Sequence, residues 1–261
     1  MDNGLAILFL VVGLLAGSTM GMLTWRLPLM VLPPTPTPAD GALSPFNLWL
    51  PGSHCCHCQT PLAWYDNIPL LSWLCLKGKC RHCGLPVSKR YPLLEALCAA
   101  MAVFCYALHP NEILLALALF IYFWFALALS IIDLQHYLLP DKLTLPLLWL
   151  GLLFNASFGV IPGKDAIIGA VAGYMILWLI YWLVRLLWHK EGIGYGDFKM
   201  LAAAGAWSGW QSIPMILYAA SITGIMYGLL LWAKKGRRGA LIPFGPALAV
   251  SGWGYFCWIS W

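Results

Sequence analysis

Two aspartates stand at the ends of apolar segments, Asp133 in Ser130-Ile131-Ile132-Asp133 and Asp197 in Gly194-Tyr195-Gly196-Asp197-Phe198-Lys199. A carboxylate at such a depth is costly and needs a reason to be there. Two carboxylates brought close in a low-dielectric site repel one another and tend to share one proton. One can then take a proton from water while the other protonates a peptide carbonyl, which is aspartyl hydrolysis without a covalent intermediate. Gly192, Gly194 and Gly196 alternate just before the second aspartate, where the lack of side chains lets a substrate strand approach closely. Taken singly, each acid has a plainer reading: Asp197 caps a helix, and Asp133 pairs with Lys142 or His136.

A second group of chemistry-bearing residues is Cys55, Cys58, Cys80 and Cys83, two Cys-x2-Cys pairs with 21 residues between Cys58 and Cys80. That spacing suits four thiolates around one tetrahedral zinc, and a full thiolate shell leaves no open position for water, so the metal is structural. Cys56, His57 and His82 fall inside the knuckles and Cys75 outside the spacing, while Cys98, Cys105 and Cys257 read as small buried hydrophobes in apolar helices. Disulfides are the alternative for the tetrad, and they rarely persist in a reducing compartment.

Composition determines what must position these groups. Of 261 residues 61% are hydrophobic and 10% charged, with a mean hydropathy of +0.78, so the chain is an all-α polytopic membrane protein in contact with the lipid bilayer. No basic patch interleaved with aromatics points to nucleic acid. Apolar runs at 5–25, 92–108, 112–132, 143–161, 166–188, 199–211, 213–233 and 242–260 predict about eight transmembrane helices. The first run follows Asp2 and precedes Arg26, the pattern of a retained signal anchor with its N-terminus outside. With that orientation all the lysines and arginines but Lys164 fall in or beside inner segments, and separating 199–211 from 213–233 keeps Lys234, Lys235, Arg237 and Arg238 inside. Both aspartates then face the cytoplasm.

The domain organisation follows: residues 1–25 form the first transmembrane helix, 26–91 a cytoplasmic four-cysteine domain and 92–261 a domain of about seven helices bearing both acids. The middle segment opens with the stiff run Pro33-Pro34-Thr35-Pro36-Thr37-Pro38. It is too short to bury much core, so metal would supply its folding energy. Trp64-Tyr65-Asp66-Asn67-Ile68-Pro69 reads as small-core packing and a turn, or as substrate contact.

Several motifs in this order resemble the type IV prepilin peptidases, membrane aspartyl proteases of type IV pilus and type II secretion systems. Gly192-Ile193-Gly194-Tyr195-Gly196-Asp197-Phe198-Lys199 looks like their Gly-x-Gly-Asp signature, and Ile132-Asp133 through Leu138-Leu139-Pro140-Asp141 resembles the segment with the other catalytic aspartate. The stretch from Cys55 to Glu95, with Trp64 to Trp73 and Arg90-Tyr91-Pro92-Leu93-Leu94-Glu95, is similar to the family's zinc-bearing cytoplasmic domain. The resemblance implies Asp133 and Asp197 as the catalytic pair and the four cysteines as zinc ligands. It also implies cleavage of the basic leader from prepilins or pseudopilins after a glycine, at the cytoplasmic face of the bacterial inner membrane. N-methylation of the new terminus with S-adenosylmethionine follows in many members, and pilus or secretion-system assembly components are the implied further partners. No cofactor-binding residues are assigned.

Two positions depart from the family pattern: Gly21 stands where relatives commonly have asparagine, and Gln59 where a glycine usually follows the first knuckle, as Gly84 follows the second. Lys199, two residues after Asp197, belongs to the supporting active-site loop and either acts on an aspartate or snorkels to the headgroups. Glu95 either pairs with Lys89 or Arg90 or meets the substrate amine, and Asp141 reads as the N-cap of the fourth helix. The competing classes are a non-enzymatic membrane assembly factor with a zinc docking domain, and an ion-coupled carrier, which the absence of an inverted repeat disfavours.

Overall fold

The computed structural model describes residues 2–32, 47–48, 50, 52–189, 194–235 and 242–261. The proline run at 33–38, together with Lys190, Gly192, Arg237 and Arg238, lies outside the described residues. Helices run at α1 Asn3–Val31, α2 Leu71–Cys75, α3 Arg90–Leu108, α4 Ile113–His136, α5 Asp141–Ser157, α6 Gly163–Trp188, α7 Tyr195–Ser208, α8 Ile213–Lys235 and α9 Gly245–Ile259. Among the described residues β-structure is confined to two isolated bridges, His54 with Pro61 and Lys79 with Pro86. Five stretches, α1, α3, α4, α6 and Trp210–Ala233, which takes in most of α8, are long and apolar enough to cross a membrane by length and composition. The protein is therefore an all-α, polytopic membrane protein. It divides into two compact units, Met1–Phe120 and Ile121–Trp261.

In the first unit α1 and α3 lie against each other along a small-residue seam. A Cβ at Gly13 would come 2.6 Å from the Cα of Ala99, and one at Gly17 would come 2.5 Å from the Cα of Glu95, so the backbones touch there. Helix α1 starts where the Asp2 carboxylate accepts from the Gly4 amide at 3.0 Å. It runs past the predicted end at residue 25 to Val31, through Pro28. Pro28 is only a few residues from the C-terminus, so its missing N–H costs one internal hydrogen bond, and the Leu32 amide closes the last turn on the Pro28 carbonyl at 2.8 Å.

In the second unit α7 is the central element, buried along nearly its whole length. Its alanine- and glycine-rich sequence is what lets neighbouring backbones close on it. Gly205 meets Gly169 of α6 backbone to backbone, and a Cβ at Gly173 would come 2.6 Å from the Leu201 carbonyl oxygen. The bulk of α7 is at its far end. The Trp207 ring stacks on Tyr122 of α4 and Phe154 of α5 and meets Phe256 of α9 edge-on, with centroids 5.1 to 5.7 Å apart. Asn155 of α5 is buried because its amide donates at 3.0 Å to the carbonyls of both Ala206 and Trp207, which the end of α7 leaves without intrahelical donors. Gly209, at φ +81°, then breaks the chain before α8, as the sequence around Gly205, Gly209 and Pro214 suggests.

Replacing Gly169 with leucine should drive α6 off α7 and lower the thermal unfolding temperature of the detergent-purified protein, at a cost of about 1–3 kcal/mol. Gly254→Ala, where an added Cβ meets nothing within 4 Å, should leave that temperature unchanged.

Candidate active site

Asp133 and Asp197 are both buried, with 6% and 9% of their surface exposed, and both belong to the second unit. Asp133 lies in the last turn of α4, where the helix's own carbonyl end opposes a negative charge. The start of α9 offsets this: the Gly245 amide, in its first turn, donates to Asp133 Oδ2 at 3.0 Å. Asp133 is thus met by an amide rather than by Lys142 or His136. Asp197 is the third residue of α7, whose N-cap is Gly194, so the helix begins earlier than the predicted 199 and takes the acid into its first turn. Its carboxylate turns back to a hydrogen bond from the Gly194 backbone, the acid's half of a capping box. Each carboxylate therefore sits at the amino end of a helix, an electropositive position.

Leu139 brings the two acids to one place. After α4 ends at His136, Tyr137 takes the left-handed region at φ +53°, and the chain turns through Leu138-Leu139-Pro140 into α5. A Cβ at Gly196 would fall 2.7 Å from that of Leu139, and one at Gly245 would fall 2.6 Å from Asp133 Oδ2 and 3.1 Å from Leu139 Cδ2. The starts of α7 and α9 thus both close on one leucine, and the charge of Asp133 is felt at Asp197. Gly194 lies beside the acid it caps, since a Cβ there would sit 3.6 Å from Asp197 Oδ2. The Lys199 ammonium pairs with Asp141 at 2.5 Å rather than with an aspartate of the pair. Asp141 is the first residue of α5, with Pro140 in the N-cap position, so the expected cap becomes a clasp between α5 and α7.

The four cysteines come together in the first unit. Their sulfurs all lie within 4.8 Å of one another, with Cys55 to Cys83 at 3.9 Å and Cys58 to Cys80 at 4.0 Å. A tetrahedral metal with bonds of about 2.3 Å sets its ligand sulfurs about 3.8 Å apart, so the tetrad fits one metal ion. The knuckles repeat one backbone geometry: Cys55 donates to the Thr60 carbonyl and accepts from the Gln59 amide, as Cys80 does with Leu85 and Gly84. Gly84 takes φ +70° without strain, whereas Gln59 is held at φ +58°, so the departure from glycine costs about 1 kcal/mol. Cys56 and Cys75 are exposed outside the cluster, and Cys98 and Cys105 are buried in α3.

The thiols ionise unequally. Hydrogen bonds from the side chain and backbone of Thr60 pull Cys58 down to about 6, and the amides of Cys83 and His82 lower Cys80. Cys83, despite the Leu85 amide, is pushed up to about 11 by desolvation and by the neighbouring sulfurs.

Comparison with known proteins bears on both clusters. A model of the type IV leader peptidase family matches residues 120–229, which include both aspartates, and a model of the bacterial peptidase A24 N-terminal domain matches residues 11–109, which include all four cysteines. A curated protein of Stutzerimonas stutzeri named prepilin leader peptidase/N-methyltransferase is 46% identical over 259 residues, covering 95% of this chain and 89% of the relative. The chain belongs to the type IV leader peptidase family. Members of the same name from Aeromonas hydrophila, 50% identical over 216 residues (82% of this chain, 74% of the relative), and Pseudomonas aeruginosa, 42% over 264 residues (95% and 89%), agree. No solved structure matches. The chain is a multi-pass protein of the bacterial inner membrane.

Two features of this family member escape a reading of sequence alone, the Gly245 amide and the Leu139 wedge. Gly245-Pro246 ahead of an apolar run marks a helix start, and that was the available signal. Metal retention tests the cysteine site. Cys58→Ser should reduce bound metal, measured by mass spectrometry of the purified protein, to under a tenth of the wild-type content. Because thiolate is the ligand form and protons compete with the metal for it, wild-type metal should be kept at neutral pH and released on acidification, below the pH at which the metal-free Cys58 thiol takes its proton.

Proposed function

We propose that the chain is a membrane aspartyl endopeptidase that removes the basic leader of type IV prepilins or type II secretion pseudopilins after a glycine and then N-methylates the new terminus with S-adenosylmethionine. The observation that carries the reading is the meeting of Asp133 and Asp197 around Leu139, in a chain 46% identical to a prepilin leader peptidase. With one proton shared between them, the ionised aspartate takes a proton from water, whose oxygen forms a bond to the scissile carbonyl carbon. The protonated aspartate gives its proton to the carbonyl oxygen. Collapse of the tetrahedral intermediate breaks the C–N bond, and the leaving nitrogen takes a proton from the pair. Gly194 leaves the edge of the site without a side chain, Gly196 makes room for Leu139, and Lys199, through Asp141, keeps the start of α5 beside α7.

In this reading Cys55, Cys58, Cys80 and Cys83 hold a structural zinc, whose role is to fold a segment too small to build its own core. All eight long helices cross the membrane, α5, α7 and α9 included, with the N-terminus outside. The zinc domain of residues 26–91 and both aspartates of the 92–261 domain then face the cytoplasm, where a leader peptide is found. The charge distribution supports this orientation, since Lys164 alone among lysines and arginines is left outside. Prepilins or pseudopilins and the pilus or secretion assembly are the partners.

Asp133→Asn and Asp197→Asn should each abolish leader removal, by at least a thousandfold in an assay of purified protein with a prepilin in detergent, while both variants insert and retain metal. Full-rate cleavage by an inserted Asp197→Asn protein would sink the assignment.

A further inference from the structure

Glu95, a buried carboxylate in the second turn of α3, has no part in this chemistry, yet it holds one loop of the first unit in place. Its Oε2 accepts from the Leu70 amide at 2.8 Å, and Leu70 is held at φ +59°, a strained conformation for a leucine, immediately before α2. That bond fixes a depth. Arg90, the first residue of α3, donates to Thr24 Oγ1 of α1, next to Trp25 and Arg26, so one charged level crosses both spanning helices there. Glu95 lies further along α3 by about 7.5 Å at the rise of an α-helix. The start of α2 is therefore held at the boundary of headgroups and acyl chains and not out in water.

At that depth α2 turns an apolar face outward. Trp73 points into the segment: its ring lies against Gly78, where an added Cβ would fall 2.8 Å from Trp73 Cζ2, and its indole donates to the Val87 carbonyl at 3.4 Å. On the other side of the helix Leu71 and Leu74 are 60% and 61% exposed, with Cys75 exposed beside them. Val87 precedes α3 on the water side of Arg90, so the face opposite Trp73 is turned toward the bilayer. The Ser72 hydroxyl donates to the Tyr65 carbonyl at 2.6 Å and sets the short turn Trp64–Asn67 alongside, where Trp64 is 80% exposed. Across residues 52–89 the acid present, Asp66, is paired with Arg81, while Lys77, Lys79 and Lys89 are exposed. Leucines and a tryptophan at the boundary with lysines around them complement an anionic bilayer surface. We propose that Trp64, Leu71 and Leu74 form a membrane-docking face, seated in the interfacial layer of the bilayer that α1 and α3 span, and that Glu95 sets its depth through Leu70. The docking does not depend on the peptidase reading.

Photocrosslinking tests this in the full-length protein, in nanodiscs of phosphatidylethanolamine and phosphatidylglycerol. Leu74→p-benzoylphenylalanine, checked for unchanged melting temperature and metal content, should give lipid adducts by mass spectrometry, as should Leu93→p-benzoylphenylalanine at an exposed position of α3. Leu71, equally exposed, is the second position if the change at 74 disturbs folding. Glu95→Ala, which frees Leu70, should lower the adduct yield at Leu74 about fivefold or more and leave that at Leu93 unchanged, whereas Glu95→Gln, whose amide oxygen can still accept from Leu70, should keep both. A crosslink from Leu74 to a second copy or to another part of the chain in place of lipid, or no adduct while Leu93 gives one, overturns the proposal. So does an undiminished yield at Leu74 in a folded Glu95→Ala protein. The adducts at Leu74 and Leu71 decide the docking itself whether or not the Glu95→Ala protein folds.

Discussion

The cost of keeping two carboxylates inside an apolar helix bundle governs the second unit. Among the described residues neither Asp133 nor Asp197 is met by a lysine or arginine, whose charge would hold each of them permanently ionised. Both are met by backbone amides at the beginnings of helices, Gly245 for Asp133 and Gly194 for Asp197. An amide favours the charge without fixing it, so one proton can still be shared between the pair. That solution demands that two helix starts converge, and convergence leaves no room for side chains at Gly196 and Gly245, where Leu139 already lies. The small-residue seam of α6 and α7, the Trp207 aromatic cluster and the Lys199–Asp141 clasp all act to hold α7 in the position this requires.

The first unit meets a different shortage. Between α1 and α3 the chain is too short and too polar to bury a substantial core, and its ordered features are local: paired knuckles, the Asp66–Arg81 ion pair and the five-residue α2. A tetrad of thiols lies within ligand distance of a single metal position, and the strained Gln59 shows that the knuckle geometry is retained even where its residue is unfavourable. Glu95 ties this segment to the helices through Leu70, so the buried acid and the cysteine-bearing segment share one anchoring point.

Much of this was legible in the chain itself. Long apolar runs announce helices because a spanning segment must satisfy its backbone internally, and Cys-x2-Cys spacing announces a metal because four thiolates meet only in a few geometries. The aspartates stood out because their surroundings are so apolar. What could not be read depended on contacts far apart in sequence: the Gly245 amide reaches Asp133 across 112 residues, and Lys199 reaches Asp141 across 58. Local propensity also misplaced two helix ends. A proline near the end of α1 does not stop it at residue 25, and α7 begins at Tyr195 because Gly194 can take the N-cap position.

The central claim is that Asp133 and Asp197 work as one proton-sharing pair, and the pH dependence of kcat/KM for leader removal tests it most directly. A pair that needs one carboxylate ionised and the other protonated gives a bell-shaped profile, with activity lost on both the acid and the alkaline side. A profile with a single ionisation, flat on one side across the range in which the protein stays folded, would contradict the account.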